Sequence, residues 1–486
     1  MLAGLGVLAA GAVLARRRRA RRQTGDDGAR AHISAVERAE RNAAMAKLAG
    51  QVGAGVAVHR AQRVFASPER REELDAAVQL RTAEQVADAL GNLKGALMKI
   101  GQLASFLDDA MPEPVRQALA QLQQDAPPMS SELAADVVEQ ELGAAPDKIF
   151  EEWDPIPLAA ASIGQVHRAV APDGRAVAVK VQYPGVDEAV RADLANLNLA
   201  GLGLGSLFPG LDAPSMVAEL RERLTEELDY HLEARNQHDF AQWYRGHPFI
   251  HVPDVLSELS TARVLTTELA EGARFDDMAT WSQEERDLAG EAIYRFVFRS
   301  LYRFSTFNGD PHPGNYLFRG GGQVSFLDFG LVKRLTRREV DQCYALVQAS
   351  VVQRDAKAVR RAAEQAGLIA RDAPVPDERV FEFMGIFWEA VERDEVTTIT
   401  PEWASQVARR YFDGRTNFGD VMEYAGMPPS MVVLQRINLG LLAILGRLEA
   451  TANWRRVAFE LWPDAAPPST ALGREEAMWW ELTHGS

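Results

Sequence analysis

The chain has 486 residues, 47% of them hydrophobic and 25% charged, which is an ordinary globular composition and enough length for two or three globular units. The formal net charge is −15, and it becomes −21 once the six arginines of residues 1–22 are set aside. Such an acidic body argues against a nucleic-acid surface. The single cysteine, Cys343, excludes an intrachain disulfide and a thiolate metal cluster, and it indicates a reducing, cytoplasmic compartment.

The amino terminus is an apolar run followed by arginines, the reverse order of a secretory signal. The run from Leu2 to Ala15 would span about 21 Å as a helix, less than the roughly 30 Å hydrocarbon core of a bilayer. It is either a shallow anchor whose arginines bind anionic headgroups or a disordered tail. We predict no transmembrane helix, and we assign residues 1–60 to this segment and a mobile linker.

An apolar stripe with helical spacing covers residues 86–107 and carries the stretch KIGQ. Lys99 and Gln102 of this stretch share a helix face beside the stripe, because they are three residues apart. A proline-rich break follows, and one of the serines at 130–131 is placed to cap the next helix. We assign residues 61–150 to a helical extension.

The first strands are predicted by their alternating pattern. GQVHRAV and RAVAVKV flank a Pro-Asp-Gly turn, so they form a hairpin that ends near Lys180. The preceding AAASIG stands where a glycine-rich phosphate loop would lie. Because the Cβ atoms of Ala159 to Ala161 remove positive-φ conformations, we expect a stiff loop that holds a γ-phosphate less closely.

Helical character returns over residues 184–245, interrupted by GLGLGSLFPG at 201–210. This glycine stretch follows a helical pattern and not a strand, so it lacks the context of a dinucleotide fingerprint and is predicted as a loop or helix end. The strand ARVLTTEL then leads into the segment that connects two predicted lobes. We assign residues 151–272 to a small, strand-bearing lobe with a helical insertion.

A larger, helical lobe is predicted for residues 273–486. It begins with a long helix over about 283–305, after which NYLF and QVSFLD flank RGGG as a second hairpin. Everything after Thr336 has a helical pattern. Four late tryptophans are expected to pack against this lobe: Trp454, Trp462, Trp479 and Trp480. The fold class is therefore α+β, with two lobes and an N-terminal helical extension.

Four polar residues supply what phosphoryl transfer needs: a cation on the phosphates, oxygen ligands for a metal and a group that orients the acceptor. They are Lys180 at the end of VAVK, Asp310 and Asn315 in DPHPGN, and Asp328 in LDFG. Each alone has a structural explanation, as an edge lysine, a rigid proline turn around His312 or an Asp-Gly turn. In this order and spacing they match the catalytic segment of a kinase, where Asp and Asn are also five positions apart.

The sequence resembles the UbiB/AarF family of atypical kinase-like proteins, which accompany isoprenoid-quinone synthesis. The matching stretches lie within residues 86–330, about half of the chain, and they are KIGQ, LQQDAPP, AAASIGQVHRA, VAVK, ELDYHLEARN, DPHPGN and LDFG. The resemblance implies a two-lobed protein-kinase-like fold that binds ATP or ADP together with Mg²⁺.

The resemblance also implies a role for each matching residue. Lys180 would contact the α- and β-phosphates, with Glu233 paired to it from a helix. Asp328 and Asn315 would hold Mg²⁺, and Asp310 would take the place of the catalytic base. The other nucleotide contacts would come from Ala159, Ala160, Ala161, Ser162, Gly164, Val166 and Glu268.

Two further motifs of the family, KxGQ and ExD, would meet over the cleft from opposite sides. Lys99 and Gln102 match the first, and Glu227 and Asp229 match the second. The residues alone place Glu227, Asp229 and Glu233 on one amphipathic helix. Glu227 and Asp229 would point about 200° apart there, so both can serve one metal only if the turn unwinds. A solvated helix face is the alternative for Glu227.

The chain departs from typical kinases in two places. Asn308 and Gly309 precede Asp310 where a kinase has a His-Arg pair. After Gly330 the chain continues without a long activation segment or an Ala-Pro-Glu anchor. We therefore do not expect regulation by phosphorylation of an activation loop.

Three functions fit these observations. The first is an atypical kinase or ATPase that supports quinone-lipid metabolism, with water or a small molecule as acceptor and a quinone or prenyl-lipid precursor as partner. The second is a small-molecule phosphotransferase of the aminoglycoside-kinase type. The third is a non-enzymatic, nucleotide-gated scaffold on the membrane surface. We expect a cytoplasmic protein with peripheral membrane contact through its amino-terminal segment.

Replacing Ala159, Ala160 and Ala161 together by glycine is expected to change the ratio of ATP to ADP affinity, because glycine permits a closer backbone approach to the γ-phosphate. Titration of each protein with both nucleotides in the presence of Mg²⁺ measures this ratio. Equal affinities for ATP and ADP before and after the substitution would contradict the prediction.

Overall fold

The structure, a computed structural model, describes residues 130–161, 163–186, 228–412, 417–426 and 428–484. Several predicted features lie outside the described residues and stay predictions: the segments up to residue 129 with Lys99 and Gln102, Ser162, the glycine stretch at 201–210 and Glu227.

An antiparallel sheet forms the small lobe, with strands β1 (Glu152–Trp153), β2 (Ala159–Ala161), β3 (Gly164–Val170), β4 (Ala176–Gln182) and β6 (Val264–Glu268). The order is β1, β3, β4 and β6, and β2 also pairs with β3. The predicted first hairpin is confirmed as β3 and β4. Its turn closes where the Gly174 N–H donates to the Ala171 carbonyl at 2.8 Å.

Alternation along β4 separates the core of the small lobe from the cleft. Val177, Val179 and Val181 are fully buried and pack with helix α1 (Ser131–Leu142), whereas Lys180 faces the opposite side. The predicted cap of α1 is confirmed, because the Ser130 hydroxyl accepts a hydrogen bond from the Leu133 N–H. The short helix α2 (Pro146–Ile149) follows and leads into the sheet.

Helix α3 (Tyr230–Trp243) carries Glu233 in its first turn. The prediction that Asp229 lies in the same helix as Glu233 is wrong. Asp229 has an extended backbone, and its carboxylate accepts from the His231 N–H, so it is the N-cap. Aspartate is favoured there because its side chain satisfies an amide at the helix start that has no partner within the helix.

The large lobe is organised around helix α4 (Gln283–Phe304), which the sequence predicted. One small sheet has the order β5 (Ile250–His251), β9 (Gln323–Phe326) and β8 (Tyr316–Gly320), and its β8–β9 pair is the second predicted hairpin. A separate ladder joins β7 (Thr306–Asn308) to β10 (Val332–Arg334). Asp310 follows β7 and Asp328 follows β9, so these short strands position both acids.

Helices dominate the rest of the lobe: α5 (Arg337–Val347), α6 (Ala356–Gln365), α7 (Asp377–Gly385), α8 (Pro401–Phe412), α9 (Gly419–Met422), α10 (Pro429–Leu448), α11 (Trp454–Leu461) and α12 (Ala471–His484). The prediction that everything after Thr336 is helical is wrong at one point. The strands β11 (Thr397–Thr398) and β12 (Thr451–Ala452) pair with each other. Two-residue strands show no alternating pattern, and the β-branched threonines favour the extended backbone.

The late tryptophans pack as predicted: Trp454, Trp462 and Trp479 are buried, and Trp480 is partly exposed. Cys343 is also buried, and burial raises the pKa of its thiol to about 12. Within the part of the chain that the structure describes, none of the helices combines the length and the apolar character needed to cross a bilayer.

A buried ion cluster joins α12 to α4. Arg295 on α4 is fully buried, and its guanidinium pairs with Glu291, Glu460 and Glu476. Glu476 also accepts hydrogen bonds from Arg299 at 2.8 and 2.9 Å. Burial alone would raise the pKa of Glu476, but its partners hold it well below the usual range. The carboxylate therefore stays ionised in the interior.

Arg295→Met is expected to lower the free energy of unfolding by about 3–5 kcal/mol, because three carboxylates would lose the buried cation between them. Urea unfolding at neutral pH measures the loss. Arg334→Met is the control, since Arg334 and its partner Asp239 are 50% and 41% exposed and an exposed pair contributes little. Equal losses in the two variants would show that the buried cluster contributes no more to the free energy of unfolding than an exposed ion pair does.

Two buried histidines are expected to make stability depend on pH. Burial lowers the pKa of both His167 and His247 below the usual value of 6.5. Below that pH the unfolded chain binds protons that the folded protein does not, so the free energy of unfolding falls as the pH decreases. Urea unfolding from about pH 7 to about pH 5.5 measures the slope. The slope should be shallower in His167→Gln, and an unchanged slope in that variant would argue against the assignment.

Candidate active site

Lys180 lies in β4 and contacts residues outside the small-lobe sheet. Its Nζ donates to both carboxylate oxygens of Glu233, at 2.8 and 2.9 Å, and lies 3.4 Å from Oδ2 of Asp328. The centroid of the Tyr230 ring is 5.0 Å from the same nitrogen. One cation therefore joins the small-lobe sheet, helix α3 and the large lobe.

The charge on Lys180 is permanent at physiological pH. Burial alone would lower the pKa of the ammonium group, but the carboxylates of Asp328 and Glu233 raise it well above its usual value. The Glu233 side chain is only 4% exposed, so its charge depends on Lys180 for compensation. Lys180 itself remains 17% exposed, which leaves a side that phosphate oxygens can reach.

A sharp turn after β9 directs Asp328 towards Lys180. The Gly330 N–H donates to Oδ1 of Asp328 at 2.9 Å. A Cβ on Gly330 would lie 3.3 Å from that oxygen and 3.7 Å from a Glu233 carboxylate oxygen, so glycine leaves room for both acids. Phe329 between them is fully buried, and its carbonyl accepts from Asn236 of α3 at 3.2 Å. Helix α3 and the turn are therefore held together.

Asp310 and Asn315 contact each other in the loop between β7 and β8. The Asn315 side-chain nitrogen donates to the Asp310 backbone carbonyl at 3.0 Å and to its Oδ2 at 3.3 Å. The Asn315 carbonyl accepts from the Leu327 N–H at 3.0 Å, which connects this loop to the residue before Asp328. His312 caps the short 3₁₀ turn within the loop, so its structural interpretation is confirmed.

The segment predicted as a stiff phosphate loop is instead strand β2. Ala159, Ala160 and Ala161 pair with β3, and only two residues connect the strands. The alanines accept extended dihedrals without strain, so they can continue the sheet towards the turn. Gly164 begins β3 against β4, where a Cβ would lie 2.2 Å from the Val181 carbonyl oxygen. Only glycine permits this close approach.

Val166 and Glu268 have different surroundings. Val166 is the register partner of Lys180 across β3 and β4, so it lies beside the lysine on the same face. Glu268 ends β6, where its carboxylate lies 3.4 Å from Nε2 of His251 and 3.4 Å from the Asp254 amide nitrogen. The His251 contact lowers the pKa of Glu268 and links β6 to β5. The sequence assigned Glu268 to the nucleotide and did not indicate this contact.

The structure brings five predicted residues together. Lys180 contacts both Glu233 and Asp328. The loop of Asp310 and Asn315 lies next to the Asp328 turn, because the Asn315 backbone carbonyl binds the Leu327 N–H.

The sequence interpretation missed the part played by Asn308, whose side chain contacts both acid-bearing segments. It also missed Tyr230, which lies over Lys180. The available signals were local: a polar residue directly before an acid, and an aromatic residue at a helix start.

Mg²⁺ fits the oxygen donors of this site. The ion prefers oxygen ligands and usually takes one or two carboxylates from the protein, with phosphate and water oxygens completing its shell. Asp328 supplies a carboxylate. The side-chain nitrogen of Asn315 donates to Asp310, so the side-chain carbonyl oxygen of Asn315 is the atom that would bind the ion. Among the described residues, no three His, Cys, Asp or Glu side chains form a metal site by themselves.

The chain is similar to known kinase-like proteins. Residues 121–363 match the model of the ABC1 atypical kinase-like domain. Atypical kinase COQ8, mitochondrial, of Saccharomyces cerevisiae is 36% identical over 250 residues, which are 51% of this chain and 50% of the relative. The Arabidopsis thaliana protein ACTIVITY OF BC1 COMPLEX KINASE 1, chloroplastic, is 36% identical over 264 residues, 53% of this chain and 38% of the relative. The matches thus span half or less of these relatives.

A solved structure extends the similarity along the chain. It is described as the complex structure of Rv3197-erythromycin from Mycobacterium tuberculosis, and it is 33% identical with a TM-score of 0.59. The match covers 82% of this chain and 100% of that chain. Together with the domain match, it confirms the two-lobed kinase-like fold predicted from the sequence.

Proposed function

The chain belongs to the ABC1 atypical kinase-like family of UbiB/AarF proteins, and from that premise we propose that it binds Mg-ATP between its lobes and transfers or hydrolyses the γ-phosphoryl group. The observation that carries the proposal is the contact of Lys180 Nζ with both Glu233 and Asp328. It sets a phosphate-binding cation beside a metal-binding carboxylate, the pairing that phosphoryl transfer requires.

Each residue of the site has a part in the proposed reaction. Lys180 binds the α- and β-phosphates, and Glu233 holds the ammonium group in place. Asp328 and Asn315 bind Mg²⁺, which offsets the negative charge of the β- and γ-phosphates. Asp310 orients the attacking hydroxyl group or water and accepts its proton.

The charges of the site favour metal-dependent binding and slow turnover. The carboxylates of Asp310, Asp328 and Glu233 outnumber the ammonium of Lys180, so a triphosphate is expected to bind more weakly without a divalent cation than with one. The alanines of β2 are paired in the sheet and lack the freedom of a glycine loop to close over a γ-phosphate.

Isoprenoid-quinone metabolism is the proposed biological context, with a quinone or prenyl-lipid precursor as partner. The resemblance to the UbiB/AarF family supports this context. The names of the two curated relatives assign those proteins to mitochondria and chloroplasts. For this chain, a cytoplasmic location with peripheral membrane contact stays a prediction.

Nucleotide binding and hydrolysis by the purified protein test the proposal. The wild type is expected to bind Mg-ATP and to hydrolyse it slowly, in assays with and without quinone-like lipids or detergent. Asp328→Asn is expected to weaken Mg-ATP binding by roughly tenfold or more, because a charged ligand is lost. Asp239→Asn is the matched control, since Asp239 is 41% exposed and pairs with Arg334 at the surface.

Two outcomes would count against an enzyme. One is undetectable turnover of the wild type in every lipid and detergent condition. The other is full biological function in an Asp328→Asn variant that has lost its nucleotide affinity, which would favour a non-enzymatic scaffold. Equal weakening by Asp239→Asn would show that the site has been assigned to the wrong residues.

A second candidate function is phosphoryl transfer to a small hydroxyl compound. The observation in its favour is the related Mycobacterium tuberculosis protein, whose structure is described as a complex with erythromycin. Erythromycin is therefore included as an acceptor, and mass spectrometry of the product detects a transferred phosphoryl group. Hydrolysis of ATP without modified erythromycin would favour the first function.

A further inference from the structure

Asn308 occupies a position where this chain departs from typical kinases, two residues before Asp310. It is the last residue of β7, and its main chain is fixed by pairing with Val332 of β10. The next residue continues the ladder, because the Gly309 N–H donates to the Leu331 carbonyl at 2.7 Å. The backbone of Asn308 therefore has a defined position relative to both strands.

The Asn308 side chain bridges the two acid-bearing segments. Its amide nitrogen donates to the backbone carbonyl of Asp328 at 2.5 Å. Its carbonyl oxygen accepts from the backbone N–H of Asp310 at 3.1 Å. A single planar group thus joins residues that are 18 positions apart in the sequence, one in each loop of the site.

An amide side chain suits these two bonds. One end must donate to a carbonyl oxygen and the other must accept from an N–H, and the asparagine side chain offers one of each on a short, rigid group. A carboxylate has no donor for the Asp328 carbonyl, and an aliphatic side chain has neither function.

The bridge acts on the main chain of Asp328, whereas the contacts with Gly330 and Lys180 act on its carboxylate. The Gly330 N–H binds Oδ1, and Lys180 lies 3.4 Å from Oδ2. If the carbonyl contact is lost, the turn can rotate and change the distance between the carboxylates of Asp328 and Asp310. Mg²⁺ demands near-ideal octahedral geometry, so its affinity is sensitive to such a change.

We propose that Asn308 is a positioning residue that sets the separation of Asp310 and Asp328 and thereby tunes the affinity for the divalent cation bound with the nucleotide. The proposal rests on the proposed function, since it assumes that a nucleotide and its cation bind here. In this proposal Asn308 acts through its hydrogen bonds to the backbone of the two acids.

The test separates cation binding from nucleotide binding. The affinity of the full chain for ATP is measured by calorimetry in excess chelator. The Mg²⁺ concentration that gives half-maximal ATP binding is then measured at a fixed ATP concentration. Asn308→Leu and Asn308→Ala are each expected to raise that Mg²⁺ concentration roughly tenfold, because both partly buried hydrogen bonds of the side chain are lost. ATP affinity in chelator should stay within about twofold, because the contacts of Lys180 are retained.

Asn438→Leu is the matched control. Asn438 also donates to a backbone carbonyl, that of Phe387 at 3.2 Å, but it lies in helix α10 and contacts neither acid. The unfolding midpoint of every variant is recorded, so that a loss of stability alone is recognised. The control should shift stability without shifting the Mg²⁺ requirement.

Three results would overturn the proposal: an unchanged Mg²⁺ requirement in folded Asn308 variants, an equal loss of ATP affinity in chelator, or the same Mg²⁺ shift in Asn438→Leu. If Asn308→Leu does not fold, the smaller Asn308→Ala decides between these results. A wild type that binds no nucleotide, with or without Mg²⁺, would refute the proposed function itself. This outcome differs from the three results above, in which the wild type binds nucleotide.

Discussion

The ion contacts of Lys180 are the constraint on which the rest of the site depends. An ammonium and a carboxylate lose several kcal/mol each on leaving water, and only close pairing offsets that cost. Lys180 comes from the small-lobe sheet, Glu233 from helix α3 and Asp328 from the large lobe. The three segments must therefore be in place together before any of these charges can be buried. The same arrangement leaves one side of the lysine accessible.

Helix α3 is held at both ends, which fixes Glu233. Its first turn contacts Lys180, while Trp243 in its last turn stacks on Phe304 at a centroid distance of 4.4 Å. The Tyr244 hydroxyl that follows bonds to Ser300 of α4 at 2.7 Å. A helix whose far end belongs to the large-lobe core cannot swing outwards without breaking that core. The ion pair with Lys180 is therefore a stable part of the fold, in agreement with the short connection from Gly330 to α5.

Much of the fold could be predicted because its signals are local. The β3–β4 and β8–β9 hairpins follow from turn residues between alternating stretches, and the Ser130 cap follows from one side chain at a helix start. The site residues Asp310, Asn315 and Asp328 followed from spacing within one short segment. Strands β1, β5, β7 and β10 have only two or three residues, too few for a periodic pattern to distinguish them from loops.

The remaining differences have two kinds of cause. One is local: helical periodicity predicts Asp229 within the helix because it does not distinguish a cap from a first turn. The three alanines of β2 carry no alternating pattern, so only their pairing with β3 shows that they form a strand. The contact of Glu268 with His251 and the bond of Asn308 to the Asp328 carbonyl join residues that no local sequence pattern connects. For β2, Glu268 and Asn308, strand pairing and tertiary contacts determined the position, and local propensity did not.

The ion cluster of α12 has a consequence for biosynthesis. Arg295 emerges from the ribosome 181 residues before Glu476, an interval of roughly ten to forty seconds at bacterial and eukaryotic elongation speeds. During that interval the guanidinium lacks one of its carboxylates and must keep its hydration water. Helix α4 can therefore bury its charged centre completely only after α12 has been synthesised, and a nascent chain that stalls before α12 would be a natural client for chaperones.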